Sequence, residues 1–188
     1  MTSYSQFQED TWILHNLKLP AKGTFIEVGA YDGISSSNTY GFEQEGWTGV
    51  CIEADPEVAE RCRRNRKCLT VCCAIGTGMS FQRFIVNDAD RGTSGLKRDD
   101  TGKTIIVPVC RLDAIIRLEG PPHLLSIDTE GTELEVWGTI GYYRPEIVIM
   151  EFWTQPHPPR SQELVDHMTA YGYREAHRTT SNLIFVRP

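Results

Sequence analysis

The chain has 188 residues, with 19 Lys and Arg against 25 Asp and Glu and a formal net charge of -6. That length suits one domain with a sizeable core, and the acidic balance argues against a surface that coats nucleic acid. No apolar run approaches a membrane span, and Met1 to Gln6 lack a basic-then-apolar leader pattern, so a soluble, cytoplasmic domain over residues 1–188 is expected.

In chain order, Ser5 with Gln8 spells a capping box for a first helix that stops before Pro20. Thr24 to Val28 reads as a buried strand running into a glycine turn. A helix is predicted from Ser36 to a left-handed cap at Gly46, and Gly49 to Glu53 is the second strand. Asp55-Pro56-Glu57 opens a helix with a cap acid, proline at the first position and an acid in the first turn. Its far end, Arg61 to Lys67, is basic, as the helix dipole favours.

Leu69 to Ala74 is a third strand, and Phe81 to Val86 and Thr104 to Val109 are two more. Between these lies a polar stretch over residues 87–103, with the composition either of a lid or of a hairpin tip. A helix near Leu112 to Leu118 precedes the strand Leu124 to Asp128, and Thr132 with Glu135 spells a second capping box. Glu146 to Phe152, a helix from Ser161 to Gly172, and a hairpin of Tyr173 to His177 with Leu183 to Val186 complete the chain. Alternating strands and helices imply an α/β sheet, mainly parallel and covered on both faces, with a terminal antiparallel pair. The six cysteines show no C-x-x-C spacing and no nearby His partner, so free thiols are expected.

In an open α/β sheet, ligands bind beyond the carboxyl ends of the strands. Here Glu27, Glu53 and Asp128 all fall at that edge. A strand, a glycine turn, a helix and a second strand ending in an acid form half of a nucleotide-binding sheet, with Glu53 placed to accept ribose hydroxyls. A pyrophosphate would not tolerate Glu27 and Asp32 beside Gly29 and Gly33, because like charges repel in a partly dry crevice. S-adenosylmethionine (SAM) carries adenine and ribose without phosphate, and adds a sulfonium and an ammonium, so an acidic turn suits it. A dehydrogenase is the weaker reading, since G-x-G-x-x-G is absent. Asp128, Glu130 and Glu133 crowd the end of the fourth buried strand. Glu133 and Glu135 are explained by a helix's first turn, whereas Asp128 and Glu130 point to function.

Ser5 to Asp10, Phe25 to Gly33, Ser37-Asn38-Thr39, Cys51 to Pro56 and Ile127 to Glu133 together resemble the FkbM-type SAM-dependent methyltransferases, over about residues 4–152 and more weakly beyond. The resemblance implies a single-domain, Rossmann-like class I methyltransferase with a seven-stranded sheet whose last strand is antiparallel. It further implies O-methylation of a hydroxyl on a sugar or natural product. Carried over by position, Glu27, Gly29, Ala30, Asp32 and Gly33 frame the methionine end of SAM, and Glu53 with Ala54 holds the ribose. Cys73 and Ala74 border the adenine, Ser5, Gln6 and Asp10 belong to an N-terminal segment (residues 1–20) that folds over the cofactor, and Asn38 lies behind the glycine turn. Asp128 and Glu130 face the transferred methyl. Gly76-Thr77-Gly78 departs from the family pattern by lacking its common acid.

A hydroxyl needs a base, for which Asp128 or Glu130 is expected, with His157 a weaker candidate. Divalent metal held by Asp128, Glu130 and Glu151 is a second route, with Mg²⁺ not expected. A SAM-binding module without turnover is the reading from another class. A nucleic-acid substrate is disfavoured by the charge balance and by the absence of a basic aromatic stripe. His15, His123, His167 and His177 read as structural or exposed, and Trp153 alone of the tryptophans is placed to touch substrate. The acceptor is expected to be a small molecule; a partner subunit that completes the site stays open.

Overall fold

The computed structural model describes residues 2–87, 89, 91–96, 103–152 and 160–188. The chain begins with α1 (Glu9–Asn16), β1 (Thr24–Val28), α2 (Tyr40–Gln44), β2 (Thr48–Glu53), α3 (Pro56–Asn65) and β3 (Leu69–Cys72). Three strands follow, β4 (Ala74–Ile75), β5 (Ser80–Val86) and β6 (Lys103–Cys110), and then α4 (Leu112–Glu119), β7 (Leu124–Ile127) and α5 (Glu133–Gly138). The last elements are β8 (Ile147–Glu151), α6 (Ser161–Ala170), β9 (Arg174–Arg178) and β10 (Asn182–Val186).

The apolar strands assemble a seven-stranded sheet in the order β3-β2-β1-β7-β8-β10-β9. Strands β3, β2, β1, β7 and β8 pair in parallel, and β10 runs antiparallel to both β8 and β9. Buried on both faces, these strands are apolar at most positions, which is why they read as near-continuous runs rather than alternations. One face of β1 carries Ile26 and Val28, which join Ile52, Ile127, Leu112, Val136, Trp137 and Met168 in one core. The other face carries Phe25, packed with Ile13, Phe42, Trp47 and Leu124. Glu27 shares that second face and is the only charged side chain within β1. The chain leaves β1 towards β2 and β3, then crosses back to place β7 on β1's other side. The strand ends therefore part between β1 and β7, where such sheets bind ligands.

A smaller sheet, β4-β6-β5, covers the β3 end of this edge over a third core of Phe84, Val86, Val107 and Val109. The predicted third strand is thus two: it breaks at Cys73, whose N–H donates to the Glu53 carbonyl, and Ala74–Ile75 changes sheet to pair with β6. The closing hairpin and the parallel core are as expected.

Three local expectations are corrected. The Ser5–Gln8 capping box does not form: Gln8 itself occupies the N-cap in a left-handed conformation (φ 64°), while Ser5 Oγ donates to the Asp10 carboxylate and accepts from the Asp10 N–H in the first turn. The second helix starts at Tyr40 rather than Ser36, because Ser36 is left-handed (φ 57°) and Ser37 and Thr39 turn inward to bind Glu27. The Thr132–Glu135 capping box does not form; Glu133 accepts hydrogen bonds from the N–H groups of Thr129 and Gly131 and so closes the preceding turn. Asp55 does cap α3, accepting from the Glu57 N–H at 2.9 Å. All six cysteines are free thiols, and among the described residues no helix is long and apolar enough to cross a membrane.

Candidate active site

Two clefts open at the parting of β1 and β7. The first, of about 540 Å³, is walled by Gly29, Glu53, Ala54, Cys73, Ala74, Phe84 and Leu96. The second, of about 1350 Å³ including its open mouth, is walled by Gln6, Glu27, Ala30, Ser35, Ser36, Ser37, Asn38, Asn87, Thr93, Glu151 and Ser181. Gly29, Tyr31, Gly92, Asp128 and Glu130 line both, so the clefts join at the end of β7.

The glycine turn is shaped by close approach. Gly29 has φ 80°, and a Cβ there would stand 1.7 Å from the Asp128 carbonyl oxygen. Gly29→Ala is therefore expected to lower the melting temperature markedly; a variant as stable as the wild type would refute that reading.

Glu53 is held at the head of the first cleft. One carboxylate oxygen accepts from the Tyr31 N–H (2.9 Å) and the other from the Asp55 N–H (2.8 Å). Each oxygen keeps one further accepting direction, which fits a pair of vicinal hydroxyls. Burial pushes the Glu53 carboxyl up to about 7, against the lowering effect of those backbone donors. Below that pH the group is protonated and loses acceptor strength, so a ligand held by its hydroxyls should bind progressively more weakly as the pH falls from 8 to 6.

Glu27 lines the second cleft, but its carboxylate is occupied from behind. It accepts from Ser37 Oγ (2.8 Å), Asn38 N (2.8 Å), Thr39 Oγ1 (2.7 Å) and Arg66 Nη1 (3.1 Å). Arg66 has a wholly buried side chain and also reaches the Gly33 carbonyl (3.0 Å) and Glu43 (3.2 Å). Burial alone would disfavour its charge; Glu27 foremost, with Glu43, holds the guanidinium above its ordinary range. Residues 33–39 thus wrap around one guanidinium, and the wall of the second cleft is built on it. Sequence reasoning missed Arg66, which looked like one more basic residue at the end of α3.

The other predicted residues divide by position. Asp32 accepts from the N–H groups of Ile34 and Ser35 and from Ser35 Oγ, which folds the turn beside the cleft. A Cβ on Gly33 would meet Arg66 and Cys62, so this glycine serves the guanidinium cage. Asp10 is buried and accepts from Ser3, Ser5 and the Tyr4 N–H, knotting the N-terminal segment. That segment bridges Ser5 to Ser36 and brings Gln6 to the second cleft. Glu9, which sequence reasoning did not single out, fixes the segment to the end of β10 through Thr179 (2.9 Å) and Asn182 (2.8 Å). The polar stretch after β5 supplies Arg91, Ser94 and Leu96 to the first cleft, and Arg91 anchors it to Asp55 at 3.0 Å. His157 and Trp153 lie outside the described residues.

Asp128, Glu130 and Glu151 converge at the junction, with one carboxylate oxygen from each lying within 4.8 Å of the others. Glu130 sits in the left-handed region (φ 57°), ahead of Gly131 (φ 108°), in the turn that Glu133 closes. Non-glycine residues adopt that conformation at a cost, and such positions cluster at functional sites. Burial holds both the Asp128 and Glu151 carboxyls above the usual range, and the Asp128 charge raises Glu151 further. The pair retains a proton where isolated carboxylates would be ionised.

A family model described as the methyltransferase FkbM domain matches residues 27–175. Among solved structures, the chain is similar to a TehB-like SAM-dependent methyltransferase from Corynebacterium glutamicum (TM-score 0.56, 8% identity, covering 98% of this chain and 89% of that one). It is similar also to a precorrin-6y C5,15-methyltransferase from Geobacter metallireducens (TM-score 0.53, 13% identity, 99% and 91% covered). A third is a chain of a fibrillarin/Nop5p complex (TM-score 0.54, 11% identity, 97% and 80% covered). No curated protein matches the sequence. The fold is the Rossmann-like class I methyltransferase fold.

Proposed function

Because the chain belongs to the FkbM family of SAM-dependent methyltransferases, we propose that it methylates a hydroxyl of a small polyhydroxylated acceptor, such as a sugar or a sugar-bearing natural product. The observation that carries the acceptor class is the lining of the second cleft. Gln6, Ser35, Ser36, Ser37, Asn38, Asn87, Thr93, Ser126 and Ser181 line it, and among the described lining residues Ala30 is the only aliphatic side chain and every charged group is an acid. Such a wall recognises hydroxyl groups and repels phosphates.

The first cleft fits the adenosine half of the cofactor. Glu53 would hold the ribose hydroxyls, and Cys73, Ala74, Phe84 and Leu96 would flank the adenine. Gly29 leaves room for the methionine part, reaching towards Asn38 and Ala30, and the N-terminal segment would cover it through Gln6. Bound SAM supplies an electrophilic methyl group on a sulfonium. The junction carboxylates would hold the acceptor oxygen in line with that methyl, with the methyl ether as product and S-adenosylhomocysteine (SAH) as the leaving group. The acceptor's proton passes to a carboxylate at the junction, Asp128 or Glu130. A base raised towards neutrality takes such a proton more effectively than one of ordinary acidity. Holding the two reactants in register supplies much of the remaining acceleration.

The reading is tested by calorimetry with SAH and by mass-spectrometric screening of glycosides and polyols for a gain of one methyl. Glu53→Ala is expected to weaken SAH binding at least about a hundredfold, since hydrogen bonds to a charged group contribute about 1.5–3 kcal/mol each. The pH dependence between 8 and 6 should flatten in Glu53→Gln. Folded protein that binds no SAH would sink the assignment of this cleft.

A further inference from the structure

We propose that Asp128, Glu130 and Glu151, completed by the amide oxygen of Asn38, bind one divalent cation of the magnesium or manganese type. The carboxylates come from the ends of two neighbouring strands and the turn between them, and one oxygen of each lies within 4.8 Å of the others. Oxygen ligands at about 2.0–2.6 Å from a shared ion can stand no further apart than roughly twice that distance, so the cluster has the required span.

A second observation comes from outside the acidic cluster. Asn38 is only 5% exposed, and its Nδ2 donates to Ser126 Oγ at 3.0 Å. Its Oδ1 is buried on the wall of the same cleft without a hydrogen-bond partner. A buried acceptor without a donor is costly. A cation shared with the carboxylates satisfies it.

The donor set also chooses the ion. Among the described residues neither His nor Cys lines this cleft, and carboxylate with amide oxygens selects Mg²⁺, Mn²⁺ or Ca²⁺ over zinc and copper. Asp128 and Glu130 border both clefts, so an ion here stands where acceptor and methyl donor would meet. An acceptor hydroxyl bound to such an ion is acidified and oriented. That role rests on the methyltransferase reading; ion binding does not.

The full chain, stripped with a chelator, is titrated with Mn²⁺ and followed by electron paramagnetic resonance, while SAH binding is measured separately by calorimetry in chelator. One bound Mn²⁺ per chain is expected, with affinity reduced at least about tenfold in Glu151→Gln, as loss of a charged ligand requires. Glu130→Gln, on the turn, gives the same result should Glu151→Gln fail to fold. Asn38→Asp, whose new carboxylate can accept from Ser126, is expected to tighten the ion. No Mn²⁺ binding by protein that still binds SAH overturns the ion site and leaves the methyltransferase reading intact. Equal Mn²⁺ binding by wild type and variants places the ion elsewhere and overturns it too. Release of Mn²⁺ as SAH binds also overturns it, because the cluster would then serve the cofactor's ammonium. Mn²⁺ held by the wild type and lost in the variants, with no SAH binding, upholds the ion site and removes its proposed role.

Discussion

Arg66→Met is expected to destabilise the protein by about 3–5 kcal/mol, the range for removing one partner of a buried charged network. The guanidinium is wholly buried between Glu27 and Glu43, whose side chains are 5% and 4% exposed. It also donates to the Gly33 carbonyl and to the hydroxyls of Ser37 and Thr39. Methionine keeps most of the volume but leaves two carboxylates without their cation, so the loss is electrostatic rather than a packing void. Arg66→Lys should recover only part of it, since an ammonium cannot reach five acceptors with the planar fork of a guanidinium. Urea unfolding of the three proteins decides the matter: a midpoint for Arg66→Met within the error of the wild type would show that the cage is not what holds residues 33–39. The double variant Arg66→Met with Glu27→Gln should lose less than the sum of the two single variants, because each removes the other's unpaired charge.

This network marks where sequence reasoning stops. The strands of the main sheet were legible because burial on both faces favours apolar residues nearly throughout, as in Phe25 to Val28 and Leu124 to Ile127, where only Glu27 and Ser126 break the run. The cap of α3 was legible because Asp55, Pro56 and Glu57 act within one turn. Arg66 gave no signal, since its partners lie 23 to 39 residues away in sequence. The same distance dependence explains the failed capping boxes. Ser5 and Thr132 are residue types that cap helices, but Asp10 claims the first hydroxyl and Glu133 turns back to close its own loop. A local pattern records what a side chain can do, and tertiary competition decides which partner it takes.

At the site, the edge-of-sheet rule placed Glu53 and Asp128 at the clefts without any contact information. It also placed Glu27 there, and the resemblance added Asp32; Glu27 lines the second cleft with its carboxylate bound by Arg66, and the carboxylate of Asp32 is engaged by the turn itself. Acids in a glycine turn can face the ligand or brace the turn from behind. Position along the strand separates the two cases, because Glu27 lies inside β1 opposite Ser126 while Asp128 follows the last residue of β7 at the junction.

Asp128→Asn is expected to lower kcat by about 10²–10⁴, the usual contribution of a general base, while leaving the dissociation constant for SAH within a few fold. The substitution keeps shape and one accepting oxygen but removes the capacity to take a proton. It also removes a buried negative charge from beside Glu133, Glu27 and Glu9, whose charges push the Asp128 carboxyl upward after burial itself. The melting temperature should therefore hold or rise as turnover is lost, the pairing of effects seen where a site is built against stability. A residue that only supported the fold would show the reverse, with lower stability and activity falling in proportion to the unfolded fraction. Measured together, the SAH isotherm, the melting curve and single-turnover methyl transfer separate these cases. Unchanged kcat in Asp128→Asn would move the base to Glu130, where Glu130→Gln should then reproduce the full loss. If neither variant slows transfer, neither carboxylate takes part in turnover, and the proton leaves to solvent.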